Sequence, residues 1–360
     1  MCSELYCGEM LLRTKLSSFR YTYPKQAIAK FPADPRDSSR LLVVHRTSGE
    51  LEHRTFRDIV DYFHRGDCLV VNDTWVYPAL LIGKKERTHA PIEVILAREL
   101  SREGNLWEVL VEPARKVRIG NKIYFDNNRF YAEIIDNTTS RGRIVRFSYS
   151  GDLYKVAERL GNMVLPPYMQ RQPEEGDKEW YQTVFANPEK IGSLAPPTAG
   201  LHFTGELLEQ LRQKGVHIVS ITLHIGLGAF ETIEVEDLSK HTMTSEYFEV
   251  SPQAADLINR ALRNRKRVCA VGCSVVRALE SSALTTGVVK PSRGWTDRFI
   301  YPPYEFRIVQ SMITNFHPPN SPSLLVGAAL AGPELITKVY RTAVKEGYRL
   351  FAYGDAMLIL

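Results

Sequence analysis

The sequence predicts an α/β protein with a small antiparallel β-domain inserted into the chain of a larger one. Three observations predict it. Between Asp73 and about Tyr149, short alternating runs (ALLIG, IEVILAREL, LWEVLVEP, NKIYF, FYAEIID and GRIVRFSY) are separated by charged or Gly/Asn turns at intervals of about ten residues, the pattern of a small barrel or sandwich. On both sides of that stretch, helical-period segments and apolar strand runs alternate with polar loops, which argues an α/β domain with its site at the strand ends. A length of 360 residues exceeds one ordinary core and suits two domains. The boundaries follow the texture: 10–72 and 151–360 form the large discontinuous domain, 73–150 the insert, and 1–9 an N-terminal extension, with Met10 a second start.

Each element has a local reason. Pro32 and Pro35 forbid helix ahead of Leu41–His45, a buried strand. Thr55 caps a helix over Thr55–Phe63, with Phe56, Ile59, Val60 and Phe63 at helical spacing, and Gly66 closes it before the strand at 68–72. After Gly151 helices return. Thr204 caps a helix carrying Leu207, Leu208 and Leu211, stopped by Gly215, and the strand HIVSITLH follows. Pro252 opens a helix with Ala254, Leu257, Ile258, Ala261 and Leu262 on one stripe. Strand VCAVG at 268–272 leads to a helix containing Arg277, for which Ser274 is the candidate cap.

Composition excludes several classes. An apolar fraction of 44% and a charged fraction of 24% are those of an ordinary globular protein rather than a disordered chain. The net charge of +5 permits a polyanionic partner without requiring one. Local clusters say more: Arg13, Lys15, Arg20, Lys25 and Lys30 stand in an acid-free stretch, and Arg263, Arg265, Lys266 and Arg267 form a second group. The five cysteines, Cys2, Cys7, Cys68, Cys269 and Cys273, form no paired framework and no CxxC, which points to free thiols in a reducing compartment and to no metal site. No apolar run approaches the roughly 20 residues of a membrane span, and no signal-peptide core is visible, so the cytoplasm is the expected location.

The chemistry concentrates in loops of the C-terminal half: SLAPPTAGLHFT at 193–204, HIGLGAF at 224–230, HTMTSE at 241–246, VGCSVVRALES at 271–281, WTDRFIYPPY at 295–304, NFHPPNS at 315–321 and YGDAM at 353–357. They set His, Asp, Glu, Asn and Arg beside Gly and Pro, as shaped loops around a polar cavity do. His202, His224 and His317 come from three of these loops and supply acid or base candidates, each with a structural hydrogen-bonding role as the alternative. His241 and Glu246 can share a site or form a weak surface pair. Arg277 sits one turn into a helix that begins with a Gly-Cys-Ser turn, where an anion is favoured; the alternative is an ion pair with Glu280 or Asp297. Cys273 reads as an ordinary buried thiol. Gly226-x-Gly228 lacks a third glycine and a following helix, so it is a weak dinucleotide fingerprint and a better close-approach loop.

In this order, these strings resemble the S-adenosylmethionine:tRNA ribosyltransferase-isomerase family of the queuosine pathway. The likeness also takes in FPADPRDSSRLLVVHR at 31–46, VVNDTWVYPALL at 70–81, LPPYMQR at 165–171, YQTVFA at 181–186 and the closing GYRLFAYGDAMLIL. It implies a large α/β barrel-like domain carrying an inserted β-barrel. It also implies transfer and isomerisation of the ribosyl part of S-adenosylmethionine onto a 7-aminomethyl-7-deazaguanine at the tRNA wobble position, giving epoxyqueuosine and releasing adenine and methionine. S-adenosylmethionine would be a consumed substrate rather than a resident cofactor, and the chain a cytoplasmic monomer. The resemblance implies catalytic roles for His202, His224, His317, Glu246 and Asp355, and substrate contacts from Thr198, Gly200, Gly226, Gly228, Arg277, Asp297 and Asn315. A histidine would take the proton from the carbon acidified by the sulfonium, and one of Glu246, Asp297 and Asp355 would read the base. The anticodon phosphates would meet Arg13, Lys15 and Arg20 or the group Arg263, Arg265, Lys266 and Arg267. Trp75 and Leu80 stand where members typically carry basic residues, and Pro196, Cys273, Asn320 and Pro322 also depart. The departures at Trp75, Leu80, Pro196 and Asn320 leave a non-catalytic RNA-binding relative as an alternative, and Gly226-x-Gly228 leaves an S-adenosylmethionine-dependent methyltransferase.

Overall fold

The computed structural model describes residues 15–126, 130–139, 141–149 and 151–360. Arg13 and the expected extension at 1–9 lie outside the described residues. Contacts divide the chain into two compact units: the chain up to Trp75 with Gln182–Lys190 and Pro196–Leu360, and a smaller unit of Val76–Tyr181 with Ile191–Ala195. The smaller unit runs on past residue 150 because the helix that follows packs on its barrel. Tyr154 of that helix meets Tyr77 and Trp107 edge-on at 5.0 and 5.6 Å.

The larger unit opens with β1 (Arg40–His45), β2 (Glu50–Thr55) and β3 (Cys68–Asn72), followed by the short β4 (Trp75–Val76). Leu41 to Val44 and Cys68 to Asn72 are wholly buried, as in strands covered on both faces. Between β2 and β3, Phe56–Tyr62 is a 3₁₀ helix, not an α-helix. Thr55 is its N-cap, as the sequence predicts, and Asp58 completes a capping box with it. Spacings of three and four carry Phe56, Ile59 and Phe63 to the core in either helix type, so the pattern alone does not choose between them.

The smaller unit is a closed barrel of β5 (Leu80–Lys85), β6 (Pro91–Ser101), β7 (Leu106–Glu112), β8 (Lys122–Tyr124), β9 (Tyr131–Asn137) and β10 (Gly142–Ser148), in the order β10-β7-β6-β5-β8-β9. Every neighbouring pair is antiparallel. Alternation sends Ile92, Val94 and Leu96, then Trp107, Val109 and Val111, to the interior. Closure leaves no unpaired strand edge. Gly83 belongs to a tight spot, since a Cβ there would lie 2.6 Å from Ile123. Helix α1 (Leu153–Leu160), capped by Asp152, and the short α2 (Asp177–Trp180) complete the unit, with β11 (Ile191–Ser193) on the return.

The chain then builds α3 (Gly205–Gln213), β12 (His217–Leu223), β13 (Glu246–Val250), α4 (Pro252–Arg263), β14 (Val268–Val271), α5 (Cys273–Ser282), β15 (Ser292–Thr296), β16 (Ser311–Asn315), α6 (Pro322–Ala331), α7 (Pro333–Lys345) and β17 (Ala356–Ile359). Thr204 and Ser251 cap α3 and α4, accepting N–H bonds at 3.1 Å from Leu207 and Ala254. The Pro322 departure costs nothing, because it is the first residue of α6. Ser274 is not the cap of α5. Gly272, at φ +90°, holds that position, and the Ser274 hydroxyl accepts from Asn72 at 3.1 Å. Among the described residues no helix is long and apolar enough to cross a membrane.

Nine strands form one mixed sheet in the order β15-β13-β12-β3-β14-β16-β17-β1-β2. One face packs Leu41, Val43, Leu69 and Val71 against Phe56, Phe203, Leu207 and Leu211. Each such side chain contributes about 1.5–3 kcal/mol by leaving water. β12, β3, β14 and β16 run parallel, while β13 runs against β12 and β15, β17 runs against β16, and β1 runs with β17. One edge of the sheet therefore collects the carboxyl ends of β12, β3, β14, β16 and β15 with the amino ends of β13, β17 and β1. In open α/β sheets ligands bind outside such an edge.

Candidate active site

That edge gathers most of the side chains singled out in the sequence. Glu246 begins β13, His224 follows β12, Asp297 follows β15, Asn315 ends β16, and Asp355 immediately precedes β17. Its centre is an ion pair: the Arg277 guanidinium donates to the Glu246 carboxylate, and both are buried at 8% and 4% exposure. Arg277 also donates to the carbonyls of Arg298 at 3.1 Å and Thr296 at 3.2 Å, while Glu246 accepts the Gly226 N–H at 2.8 Å. Arg277 thus pairs with Glu246 rather than with Glu280 or Asp297. Glu280 instead accepts the backbone N–H groups of Arg307, Ile308 and Val309 at 3.0–3.1 Å. Glu246 likewise is not on the surface with His241. A polar cavity of about 570 Å³ opens nearby, lined by His241, Met243, Trp295, Asp297, Arg298 and Phe299.

The three histidines occupy separate positions along the edge. His224 is held by Thr74 Oγ1 at 2.9 Å and stacks on Tyr247, centroids 5.6 Å apart. His317 Nε2 lies 2.8 Å from Thr314 Oγ1 and 3.8 Å from Cys273 Sγ, while the His317 N–H donates to Tyr340 and the Tyr21 hydroxyl donates to the His317 carbonyl. His202 Nδ1 is 2.8 Å from Ser39 Oγ, with Phe56 against its ring. Burial pushes all three from the ordinary 6.5 down to about 4. All are therefore neutral imidazoles at pH 7, able to accept a proton on the bare ring nitrogen rather than standing as imidazolium acids. Burial also pushes the Cys273 thiol up to about 11, so it is no thiolate.

His202, at 4% exposure, makes this a testable stability effect. Above pH 6.5 it is neutral folded and unfolded and contributes nothing to pH dependence. As the pH falls from 6.5 toward 4, only the unfolded chain takes up the proton, so stability drops and levels off below about 4. The full loss is of the order of 3 kcal/mol. Thermal unfolding of His202→Gln against wild type should show a flatter acid limb; superimposable curves would count against it.

Other residues are used differently. Asp355 accepts the backbone N–H groups of Arg40 at 3.0 Å and Arg349 at 2.7 Å, and Arg349 Nε lies 3.6 Å away. Its carboxylate is a latch between chain segments. Asn315 donates to the carbonyls of Phe351 and Ala352 at 3.0 and 3.3 Å. Thr198 and Gly200 lie in the 3₁₀ turn Thr198–His202, where a Cβ on Gly200 would meet Phe185 at 2.6 Å and Thr183 at 2.9 Å, so packing requires that glycine. Gly226 and Gly228 belong to a loop that continues as the 3₁₀ turn Leu227–Ala229 and not as an α-helix, which removes the basis for a dinucleotide-type loop.

The basic groups separate. Lys15 and Arg20 flank a 3₁₀ turn that bonds to Glu236, in the chain leaving the site edge, and the neighbouring Tyr21 reaches His317. Arg263, Arg265, Lys266 and Arg267 lie between α4 and the amino end of β14, at the opposite edge from Glu246 and the histidines. Arg267 is moreover tied to the Tyr62 carbonyl and to Asp67. The run leads directly into the strand at 268, which puts it at that strand's amino end, away from a site built on the carboxyl ends. Among the described residues no group of three or more His, Cys, Asp or Glu could hold a metal ion.

Sequence reasoning missed Asn72 and Thr74. Asn72 donates to the Leu223 carbonyl at 2.9 Å and accepts the Leu223 N–H at 3.0 Å, clamping β12 to β3, and Thr74 orients His224. The signal was present: a polar Asn-Asp-Thr directly after a wholly buried strand.

A family profile described as queuosine biosynthesis protein matches residues 16–359. The chain is 50% identical over 349 residues to the S-adenosylmethionine:tRNA ribosyltransferase-isomerase of Cytophaga hutchinsonii, covering 96% of this chain and 100% of the relative. It is 52% identical over 348 residues to that of Chloroherpeton thalassium, covering 96% and 99%. The crystal structure of the S-adenosylmethionine tRNA ribosyltransferase from Thermotoga maritima matches with a TM-score of 0.54 at 34% identity, over 95% of this chain and 100% of that one. The chain therefore belongs to the queuosine biosynthesis protein family, as an enzyme of the S-adenosylmethionine:tRNA ribosyltransferase-isomerase kind.

Proposed function

We propose that this protein transfers and isomerises the ribosyl moiety of S-adenosylmethionine onto 7-aminomethyl-7-deazaguanine at the wobble position of tRNA. The products are epoxyqueuosine-tRNA, adenine and methionine. The observation that carries this reading is the likeness over 96% of the chain to relatives named for that activity. The site chemistry supports it. A sulfonium acidifies the adjacent 5′ carbon, and a buried, neutral imidazole such as His224 or His317 is in the protonation state to accept that proton. Adenine departs more readily when protonated, and an imidazolium formed in the first step is an acid of the required kind. S-adenosylmethionine acts as a substrate, and no resident cofactor or metal is part of the proposal. Lys15 and Arg20 are the cations for anticodon phosphates on this side of the sheet.

The test is incubation with S-adenosylmethionine and tRNA carrying the aminomethyl-deazaguanine. Adenine and methionine are the expected products. S-adenosylhomocysteine would mean methyl transfer, and binding without turnover a non-catalytic relative. His317→Ala should lower turnover by about 100-fold or more while tRNA affinity stays within about threefold. Wild-type turnover in that variant would remove His317 from the chemistry.

A further inference from the structure

Of the three carboxylates expected to read the base, two are engaged by protein. Glu246 faces Arg277 and the Gly226 N–H, and Asp355 holds two backbone N–H groups. Asp297 has no hydrogen bond or ion pair among the described residues, and it lines the cavity of about 570 Å³ at the carboxyl end of β15. That volume lies within the roughly 300–1,000 Å³ of small-ligand sites. Trp295, Phe299 and His241 put aromatic rings into its otherwise polar lining. Trp295 is 56% exposed, with Tyr247 edge-on at 6.0 Å, and Phe299 lies between His241 and Tyr301, at 4.8 Å from each.

We propose that this cavity receives the extruded guanine-type base of the tRNA and that Asp297 reads its Watson–Crick edge. An ionised carboxylate only accepts hydrogen bonds, with two oxygens side by side. A guanine-type edge presents two adjacent donors, the ring N1–H and the exocyclic 2-amino group, and so satisfies both oxygens. The adenine of S-adenosylmethionine presents one donor beside an acceptor, which would set a lone pair against a carboxylate oxygen. The exposed part of the Trp295 indole at the cavity offers the stacking face that an unstacked RNA base needs. The ribosyl-transfer reading is used only to name the base as a deazaguanine.

The experiment uses two anticodon stem-loops, one bearing 7-aminomethyl-7-deazaguanine and the other the same base without its 2-amino group. Binding by fluorescence anisotropy and adenine release are measured for wild type, Asp297→Asn and Trp295→Ala. Wild type should bind the analogue about 10- to 100-fold more weakly. Asp297→Asn should discriminate by less than about threefold, with its affinity for S-adenosylmethionine unchanged. Trp295→Ala should weaken both stem-loops by about tenfold. The assignment is overturned if Asp297→Asn discriminates as wild type does, if wild type does not discriminate, or if the loss falls on S-adenosylmethionine instead. Wild-type discrimination without adenine release would sink the ribosyl-transfer reading and leave the cavity assignment standing. Adenine release with discrimination retained in Asp297→Asn would do the reverse.

Discussion

Replacing Glu246 by Ala is expected to cost about 3–5 kcal/mol of stability and to abolish adenine release. The cost arises because Arg277, at 8% exposure, would keep a buried positive charge with no carboxylate to neutralise it. The Gly226 N–H would lose its acceptor at the same time, loosening the loop after β12. Stability and activity can be separated. Glu246→Leu combined with Arg277→Met removes the unpaired charge and should restore part of the stability, while the Gly226 N–H and the carbonyls of Thr296 and Arg298 stay without their partners. Activity should stay at least about 100-fold down, because the charged groups that shape the site edge are gone. Thermal midpoints and adenine release on the same preparations decide it. A double variant that recovers both would reduce the pair to a packing element.

Asp355→Ala is the second large effect, of about 2–5 kcal/mol. Here the loss comes from two backbone donors, Arg40 N–H and Arg349 N–H, which accept no substitute partner once the carboxylate is removed. Asp355 is itself 2% exposed and sits where β17 enters the sheet beside β1. Its removal should therefore lower the urea midpoint and speed hydrogen exchange in β1 and β17 together. A directly catalytic Asp355 would give the opposite signature, a fall in turnover with an unmoved midpoint.

How far the sequence could be read depended on the range of the interactions involved. The barrel was legible because alternation along β6 and β7 is a local signal, and so were the helices whose caps, Thr204 and Ser251, lie beside their first turns. The loops bearing His224, Glu246 and His317 were recognisable from their composition, and the structure sets all three along one edge. Pairings across the sheet were not legible. Arg277 finds Glu246 across 31 positions, and Glu280 accepts from backbone that is 27–29 residues away. The Asp355 latch depends on the pairing of β17 with β1, which no local pattern encodes. Neutral histidines were likewise beyond reach, because their burial is a product of the finished fold.

The strand order also sets a timetable for biosynthesis. β1 ends at His45, yet its parallel neighbour β17 begins only at Ala356. At about 5–20 residues per second, the ribosome leaves the Leu-Leu-Val-Val segment waiting for about 15–60 s with only its hairpin partner β2. The barrel, whose strands all lie between Leu80 and Ser148, can close on the nascent chain well before then. Growth conditions that slow elongation should therefore divert this polypeptide toward aggregation through its earliest strands, and chaperones that shield short aliphatic segments should rescue its yield.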